Sequence, residues 1–210
     1  MKTKIVSLEK IMKDSRVSRY SPPILIAKEL GLKYLVVEEE NITGPAIGTS
    51  ILVDKITRNI KIEKMLDLCC GSGAITKIAI KNGVKISVCI DKNLKAAKEN
   101  LKNEEKKIIL EKRDIFSFKN DDNFELIVLD PPRYLIEKVI HKFSFDSLKT
   151  HLFVMWHGSY LEEEWNFFVR NILRKFFDKV YSFSIYGEEL SICSKTKLGG
   201  KMLKKIFRRW

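Results

Sequence analysis

The sequence predicts an α/β fold: a seven-stranded, mostly parallel sheet ending in a C-terminal β-hairpin, with helices on both faces and a small N-terminal helical extension. Three observations carry that expectation. From Thr49 onward, helical periodicity alternates with short buried apolar runs, the pattern of a doubly wound sheet. The segment MLDLCCGSGAIT at 65–76 passes from an apolar strand through a glycine turn into an apolar-periodic helix. Near the end of the chain, 179–186 and 190–194 flank Gly187, Glu188 and Glu189 as two alternating strands about a turn.

Residues 1–49 read as the extension. Helices are expected over 5–12 and 24–30, the second opened by Ser21, Pro22 and Pro23 and closed by Gly31. A β-branched run at 34–37 reads as a short strand and 41–48 as a loop, in which Gly44 and Pro45 either fold over a ligand or simply connect. The main domain, 50–194, follows in helix–strand pairs because each step between parallel strands needs a crossover. Helix 50–56 precedes strand 64–68, helix 74–82 leads to strand 85–90, and helix 94–103 leads to strand 107–111. Strand 126–129, a helical 134–143, strand 152–155 and helix 161–177 complete the series before the hairpin. The aromatics of 165–168 have helical spacing and read as core.

With 210 residues and 45% hydrophobic content, the chain can bury a full core. No apolar run reaches the ~18–20 residues of a membrane span, and the first residues lack the apolar centre of a secretion signal, so a cytoplasmic protein is expected. The four cysteines make neither a disulfide framework nor a Cys-x-x-Cys pair, and the three histidines are scattered, so no metal site is expected. A formal net charge of +12 points to a polyanionic partner, nucleic acid before others. Its distribution is uneven: 195–210, read as a basic tail, holds seven Lys or Arg residues and no acid. A solvated, Lys-rich surface is the plainer alternative.

Ligands of open α/β sheets bind beyond the carboxyl ends of the strands, and three acids stand there at successive strand ends. Asp67 ends the first strand, and Gly71 and Gly73 let backbone approach a ligand. The pyrophosphate-binding Gly-x-Gly-x-x-Gly is incomplete in either register, with Cys69 at the first position of one and Thr76 at the last position of the other, which favours a cofactor without pyrophosphate. Asp91, 20 residues past Gly71 and followed by Lys92, is suited to accept from ribose hydroxyls. Asp114 can accept from an adenine amine while Ile115 or Phe116 packs on the ring, or it can simply cap a turn.

The pattern Leu-Asp-Leu-x-Cys-Gly-x-Gly resembles the first motif of class I S-adenosylmethionine-dependent methyltransferases. The resemblance covers about 50–194. It implies their Rossmann-like sheet, S-adenosylmethionine as cofactor, and cofactor contacts from Asp67, Cys69, Gly71, Gly73, Asp91, Lys92, Asp114, Ile115 and Asp130, with Asp114 at the adenine position.

The strand at 124–129 runs into Asp130, Pro131, Pro132, Arg133 and Tyr134. This resembles the Asp/Asn-Pro-Pro-aromatic motif of methyltransferases acting on nitrogen in a planar system, such as a base amine or a glutamine amide. Such a nitrogen delocalises its lone pair, so attack needs acceptors that draw it toward sp³ character. The resemblance implies the Asp130 carboxylate and the Pro131 carbonyl in that role, with Pro132 stiffening the loop and Tyr134 completing the catalytic turn. The pattern departs at Arg133, where an aromatic residue would stack on the base; Arg133 is suited instead to a backbone phosphate. Asp-Pro-Pro-Arg is also found in RNA methyltransferases that modify pyrimidine carbons, but those need a cysteine nucleophile after the fifth strand. Here that strand continues through Trp156, His157 and Gly158 without one, and Cys193 reads as core. Trp156 is placed to stack a flipped base and His157 to take a proton or touch phosphate; core packing and helix capping are the alternatives.

The expectation is thus an S-adenosylmethionine-dependent methyltransferase acting on a nitrogen of an RNA base in tRNA or rRNA, with Arg16, Arg19 and the basic tail on phosphates. A protein glutamine N-methyltransferase of the release-factor type keeps the cofactor but usually carries Asn-Pro-Pro-Tyr. A non-catalytic RNA-binding scaffold, and an aminopropyl- or aminocarboxypropyl-transferase on the same fold, are the further readings.

Overall fold

Apolar residues at the start of the chain build a small sheet where a helix was expected. The structure, a computed structural model, describes residues 3–14, 21–38, 41–43, 46–119, 122–159 and 163–208. Arg16, Arg19, Gly44 and Pro45 lie outside them, as does the Trp165 side chain. The first elements are β1 (Thr3–Ser7), α1 (Leu8–Lys13), α2 (Pro22–Glu29), β2 (Tyr34–Glu38) and β3 (Asn41–Thr43). β2 pairs antiparallel with both β1 and β3. The first helix begins only at Leu8, where the Ser7 hydroxyl accepts the Lys10 N–H as an N-cap. Ile11, Ile24, Ala27, Leu32 and Leu35 form a core of their own, closed against Ala74 of the main domain.

The main domain runs α3 (Ile47–Asn59), β4 (Lys64–Leu68), α4 (Ala74–Lys81), β5 (Ile86–Asp91), α5 (Lys95–Leu101), β6 (Ile108–Lys112), β7 (Phe124–Leu129), α6 (Ile136–Lys142), β8 (Thr150–Ser159), α7 (Glu163–Leu173), β9 (Lys179–Ile185), β10 (Glu188–Ser194) and α8 (Lys197–Phe207). The seven-stranded sheet has the order β6-β5-β4-β7-β8-β10-β9. β4 to β8 are mutually parallel, and β10 runs antiparallel to β8 and β9. The chain goes outward from β4 through β5 to β6, then returns to the other side of β4 for β7, so a crevice opens at the ends of β4 and β7. Both strands are covered on both faces, which is why their sequences are continuous apolar runs. One face packs Leu52, Ile56, Ile78, Val154, Leu190 and Leu203 under α3, α4 and α8. The other packs Leu66, Ile127, Val139, Phe145, Phe153 and Val169 under α6 and α7.

Two expectations are corrected at the C-terminal end. The hairpin turns at Tyr186 and Gly187, both left-handed at φ 51° and 78°, so Glu188 and Glu189 open β10 instead of forming the turn. The segment read as a basic tail forms α8 over 197–207, with Gly199, Gly200, Leu203 and Ile206 buried. The Thr196 hydroxyl caps it by accepting the Gly199 N–H. A Cβ at Gly199 would lie 2.0 Å from the His151 carbonyl oxygen, so the helix sits on β8 at a separation that only glycine permits. Among the described residues no helix is long and apolar enough to cross a membrane.

Candidate active site

The loops after β4, β5, β6 and β7 enclose a cleft of about 410 Å³ at the switch point. Asp67, Asp91, Asp114 and Asp130 all line it, so the acids expected at successive strand ends do meet. Cys69, Gly71, Lys92 and Ile115 lie along its wall, and Pro131, Pro132, Arg133, Tyr134 and Trp156 complete it.

The glycine loop owes its shape to alternating left-handed residues: Cys69 at φ 62°, Gly71 at 51° and Gly73 at 78°. Cys69 holds a glycine's conformation at a cost of roughly 1–2 kcal/mol, offset locally as the Cys69 and Cys70 N–H groups both donate to the Ile90 carbonyl at 2.9 and 3.2 Å. The Gly71 N–H donates to Asp91 Oδ2 at 2.9 Å, and Asp91 Oδ1 accepts the Asn93 N–H at 2.9 Å. Asp91 therefore braces the loop as well as facing the cleft. Gly73, expected at the cofactor, is not among the cleft residues; a Cβ there would meet Leu101 Cδ1 at 2.6 Å, so its missing side chain serves packing against α5.

Asp67 is fully buried beneath this loop. Thr76 Oγ1 donates to its Oδ2 at 2.7 Å, while Oδ1 has no partner. Burial pushes the carboxyl up to about 7, against the Thr76 bonds and aided by the Asp91 charge. A folded-state pKa above the ordinary value contributes stability that is full below roughly pH 4 and lost as pH rises through the folded value. Asp67→Asn is therefore expected to flatten the pH dependence of unfolding between about pH 4 and 8, by on the order of 4 kcal/mol. Denaturant titrations across that range check it, and an unaltered slope would mean that the group is ionised in the fold.

Asp114 caps a 3-10 turn by accepting the Phe116 N–H at 3.0 Å and pairs with Lys92 at 2.9 Å. Partial burial acts to raise its pKa, but the Phe116 bond and the Lys92 ammonium outweigh it and hold the carboxyl below the usual range. The capping alternative and the cleft position thus both hold for this residue.

Asp130 follows β7, its N–H donating to the Leu68 carbonyl at 3.3 Å. Burial, with the nearby charges of Glu188 and Asp67, holds its carboxyl well above the ordinary range. The Thr49 hydroxyl opposes this without forming a hydrogen bond of good geometry. Glu188, expected in the turn, is a further acid lining the cleft, close enough for its charge to act on Asp130. Its two oxygens accept the Ile47 and Gly48 N–H groups at 3.0 and 2.7 Å, capping α3 from 140 residues away. Burial outweighs those two bonds and raises its pKa. A Cβ at Gly48 would fall 2.6 Å from Leu190 Cδ1 and 3.0 Å from Glu188 Oε2, so glycine is what lets helix and hairpin meet.

Trp156 and His157 part company. Trp156 lines the cleft, and its Nε1 is buried without a partner. His157, expected at the substrate, is instead fully buried within the sheet, with Nε2 2.9 Å from the Ser191 hydroxyl. β8 continues past Met155 to Ser159, and a bulge against β10 falls beside His157, so strand alternation turns it to the opposite face from Trp156.

Asn100 of α5 was not foreseen. Its Oδ1 accepts the Lys33 and Tyr34 N–H groups at 2.8 and 3.0 Å, and its Nδ2 donates to the Tyr34 and Ser72 carbonyls at 2.8 Å each. It thereby clamps the N-terminal sheet to the glycine loop, and Pro23 and Val36 of that sheet unit reach the cleft wall.

Residues 43–146, about half of the chain, match the family model of the methyltransferase small domain. The fold is similar to that of a Pyrococcus horikoshii protein provisionally described as an RNA methyltransferase, at 17% identity and TM-score 0.62, covering 84% of this chain and 98% of the other. By family and fold, the chain belongs to the class I S-adenosylmethionine-dependent methyltransferases. The methyltransferase is also similar to the ribosomal protein L11 methylase of Lactobacillus delbrueckii subsp. bulgaricus, at 21% identity and TM-score 0.57 over 73% of this chain and 82% of that one. Spermidine synthase of Thermotoga maritima shares the fold at 15% identity and TM-score 0.59, over 81% and 68% of the two chains. No curated protein matches the methyltransferase in sequence.

S-adenosylmethionine, the methyl donor of this class, is cationic at its sulfur and its amine. The cleft suits such a molecule. Burial raises the pKa values of Asp67, Asp130 and Glu188, a cost that a cationic ligand would offset, and Asp67 Oδ1 and Trp156 Nε1 are buried polar atoms without partners.

Proposed function

We propose that this methyltransferase modifies a nitrogen of an RNA base, in tRNA or rRNA. The observation that carries the reading is the Asp130-Pro131-Pro132 turn: a half-buried carboxyl with a raised pKa and a proline-stiffened carbonyl, both on the acid-lined cleft. When bound, S-adenosylmethionine supplies an electrophilic methyl group. Asp130 and the Pro131 carbonyl accept the hydrogens of the target amine, localise its lone pair and stabilise the positive charge that develops on nitrogen. Pro132 holds the turn that presents them, and Tyr134 and Trp156 offer aromatic faces for the base, with Arg133 for a phosphate. At the other end, Asp91 accepts from the ribose hydroxyls and Asp114 from the adenine amine, with Ile115 against the ring, Lys92 steadying Asp114, and the backbone of Cys69 and Gly71 close to the ligand. RNA is favoured by the net charge of +12.

The test is transfer of a labelled methyl group to total RNA and, in parallel, to total protein, with Asp130→Ala as the control. Asp130-dependent label in RNA supports the reading and allows the nucleoside to be identified. Label confined to protein favours the amide nitrogen of glutamine, and label in neither would reject both macromolecular substrates. For the cofactor end, Asp91→Ala is expected to weaken S-adenosylmethionine binding by about 1–3 kcal/mol, measured by calorimetry. Unchanged affinity would remove Asp91 from the ribose site.

A further inference from the structure

The exposed face of α8 carries Lys197, Lys201, Lys204, Lys205 and Arg208, while its opposite face is buried. Among the described residues, no ion pair holds any of these five cations. Lys201, Lys204, Lys205 and Arg208 border a shallow concavity of about 420 Å³. The helix dipole accounts for cations in the last turn, but it disfavours Lys197 in the first turn and gives no reason for Lys201 in the second. Stability of the helix therefore does not explain the stripe.

The direction of the stripe is as telling as its charge. α8 packs chiefly on β8 and β10, and side chains along it reach β9, the edge strand of the sheet: Gly200 lies beside Lys179, and the Phe207 ring lies 5.0 Å from Tyr181 and 6.0 Å from Phe183. Tyr181 is 44% exposed, and beyond it Tyr186 is 80% exposed at the tip of the hairpin. Tyr186 sits there at φ 51°, a conformation that suits glycine or asparagine, so turn stability gives no reason for tyrosine. Two residues later, Glu188 lines the cleft. Cations followed by exposed aromatics along one path are the chemistry of single-stranded nucleic acid binding: phosphates on the lysines, bases on the rings.

Resting on the RNA reading above, we propose that α8 and the β9 edge form a track that takes the backbone of a single-stranded RNA segment and leads it over Tyr181 and Tyr186 to the cleft. The test follows binding of a fluorescent single-stranded RNA to the full chain by anisotropy, from low to moderate salt. The triple variant Lys201→Glu, Lys204→Glu, Lys205→Glu is expected to lose affinity by on the order of a hundredfold at low salt and to reduce the log–log salt slope by about 2. The neutral triple Lys→Gln at the same positions, gentler on the helix, should change both in the same direction by less. Tyr186→Ala should cost roughly tenfold with the slope unchanged. RNA binding by the parent with the same affinity and slope in both triple variants would overturn the track while leaving the RNA reading intact. A parent chain with no salt-dependent RNA binding would overturn both.

Discussion

Asp130→Ala is expected to slow methyl transfer by about a thousandfold at saturating S-adenosylmethionine, while changing cofactor affinity by no more than several-fold. The backbone at this point is set by the β7–β4 pairing and by the Asp130 N–H bond to the Leu68 carbonyl, neither of which needs the side chain. What alanine removes is the acceptor that orients the amine. It also removes the desolvation cost of the carboxyl and its repulsion by Glu188 and Asp67, which together hold the Asp130 pKa high. The sign follows: the raised pKa means that stability from Asp130 is lost as pH rises, so the alanine variant should be at least as stable as the parent at neutral and alkaline pH. Single-turnover transfer and thermal unfolding, measured together, check both halves; full turnover in Asp130→Ala would end the nitrogen-methylation model.

Asn100→Leu is expected to destabilise the fold by roughly 2–4 kcal/mol, and to weaken S-adenosylmethionine binding at the same time. Leucine matches asparagine in size, so little packing is lost. The cost lies in the Lys33 and Tyr34 N–H groups and the Tyr34 and Ser72 carbonyls, all of which lose the amide that satisfies them. Because Ser72 lies in the glycine loop, the damage reaches the cleft wall rather than stopping at the N-terminal sheet. Asn100→Asp keeps the two acceptor bonds and loses the two donors, so it should fall between parent and leucine variant. Denaturant unfolding with calorimetry of the cofactor decides the matter. A leucine variant with unchanged stability and affinity would mean that the contact of Ile24, Leu35 and their neighbours with Ala74 seats the sheet alone.

Some parts of the molecule are legible because their causes are local. The apolar run of β4, the glycine turn and α4 follow from periodicity and from the demand for left-handed residues, all within about a dozen positions. Asp67 and Asp91, close to the ends of β4 and β5, and Asp114 and Asp130, just past β6 and β7, stand at strand ends that the same periodicity locates. The N-terminal strand was missed because Thr3–Ser7 is a strand only through its pairing with Tyr34–Glu38; read alone, its residues join the following helix. In α8 the apolar spacing of Leu203 and Ile206 was hidden beneath the charge.

The sequence by itself determined the α/β architecture through its alternating periodicity, the cofactor class through the motif around the glycine loop, and the Asp130 turn, since each is written in local patterns. Only the tertiary structure decided which side chains share the cleft. Glu188 meets the start of α3 across 140 residues, and Asn100 joins the N-terminal sheet to the main domain across 66. Trp156 faces the cleft while His157 turns away because β8 runs on past Met155 and bulges against β10. Such outcomes depend on strand order and register, which exist only once distant strands have paired, and no local pattern in the chain encodes them.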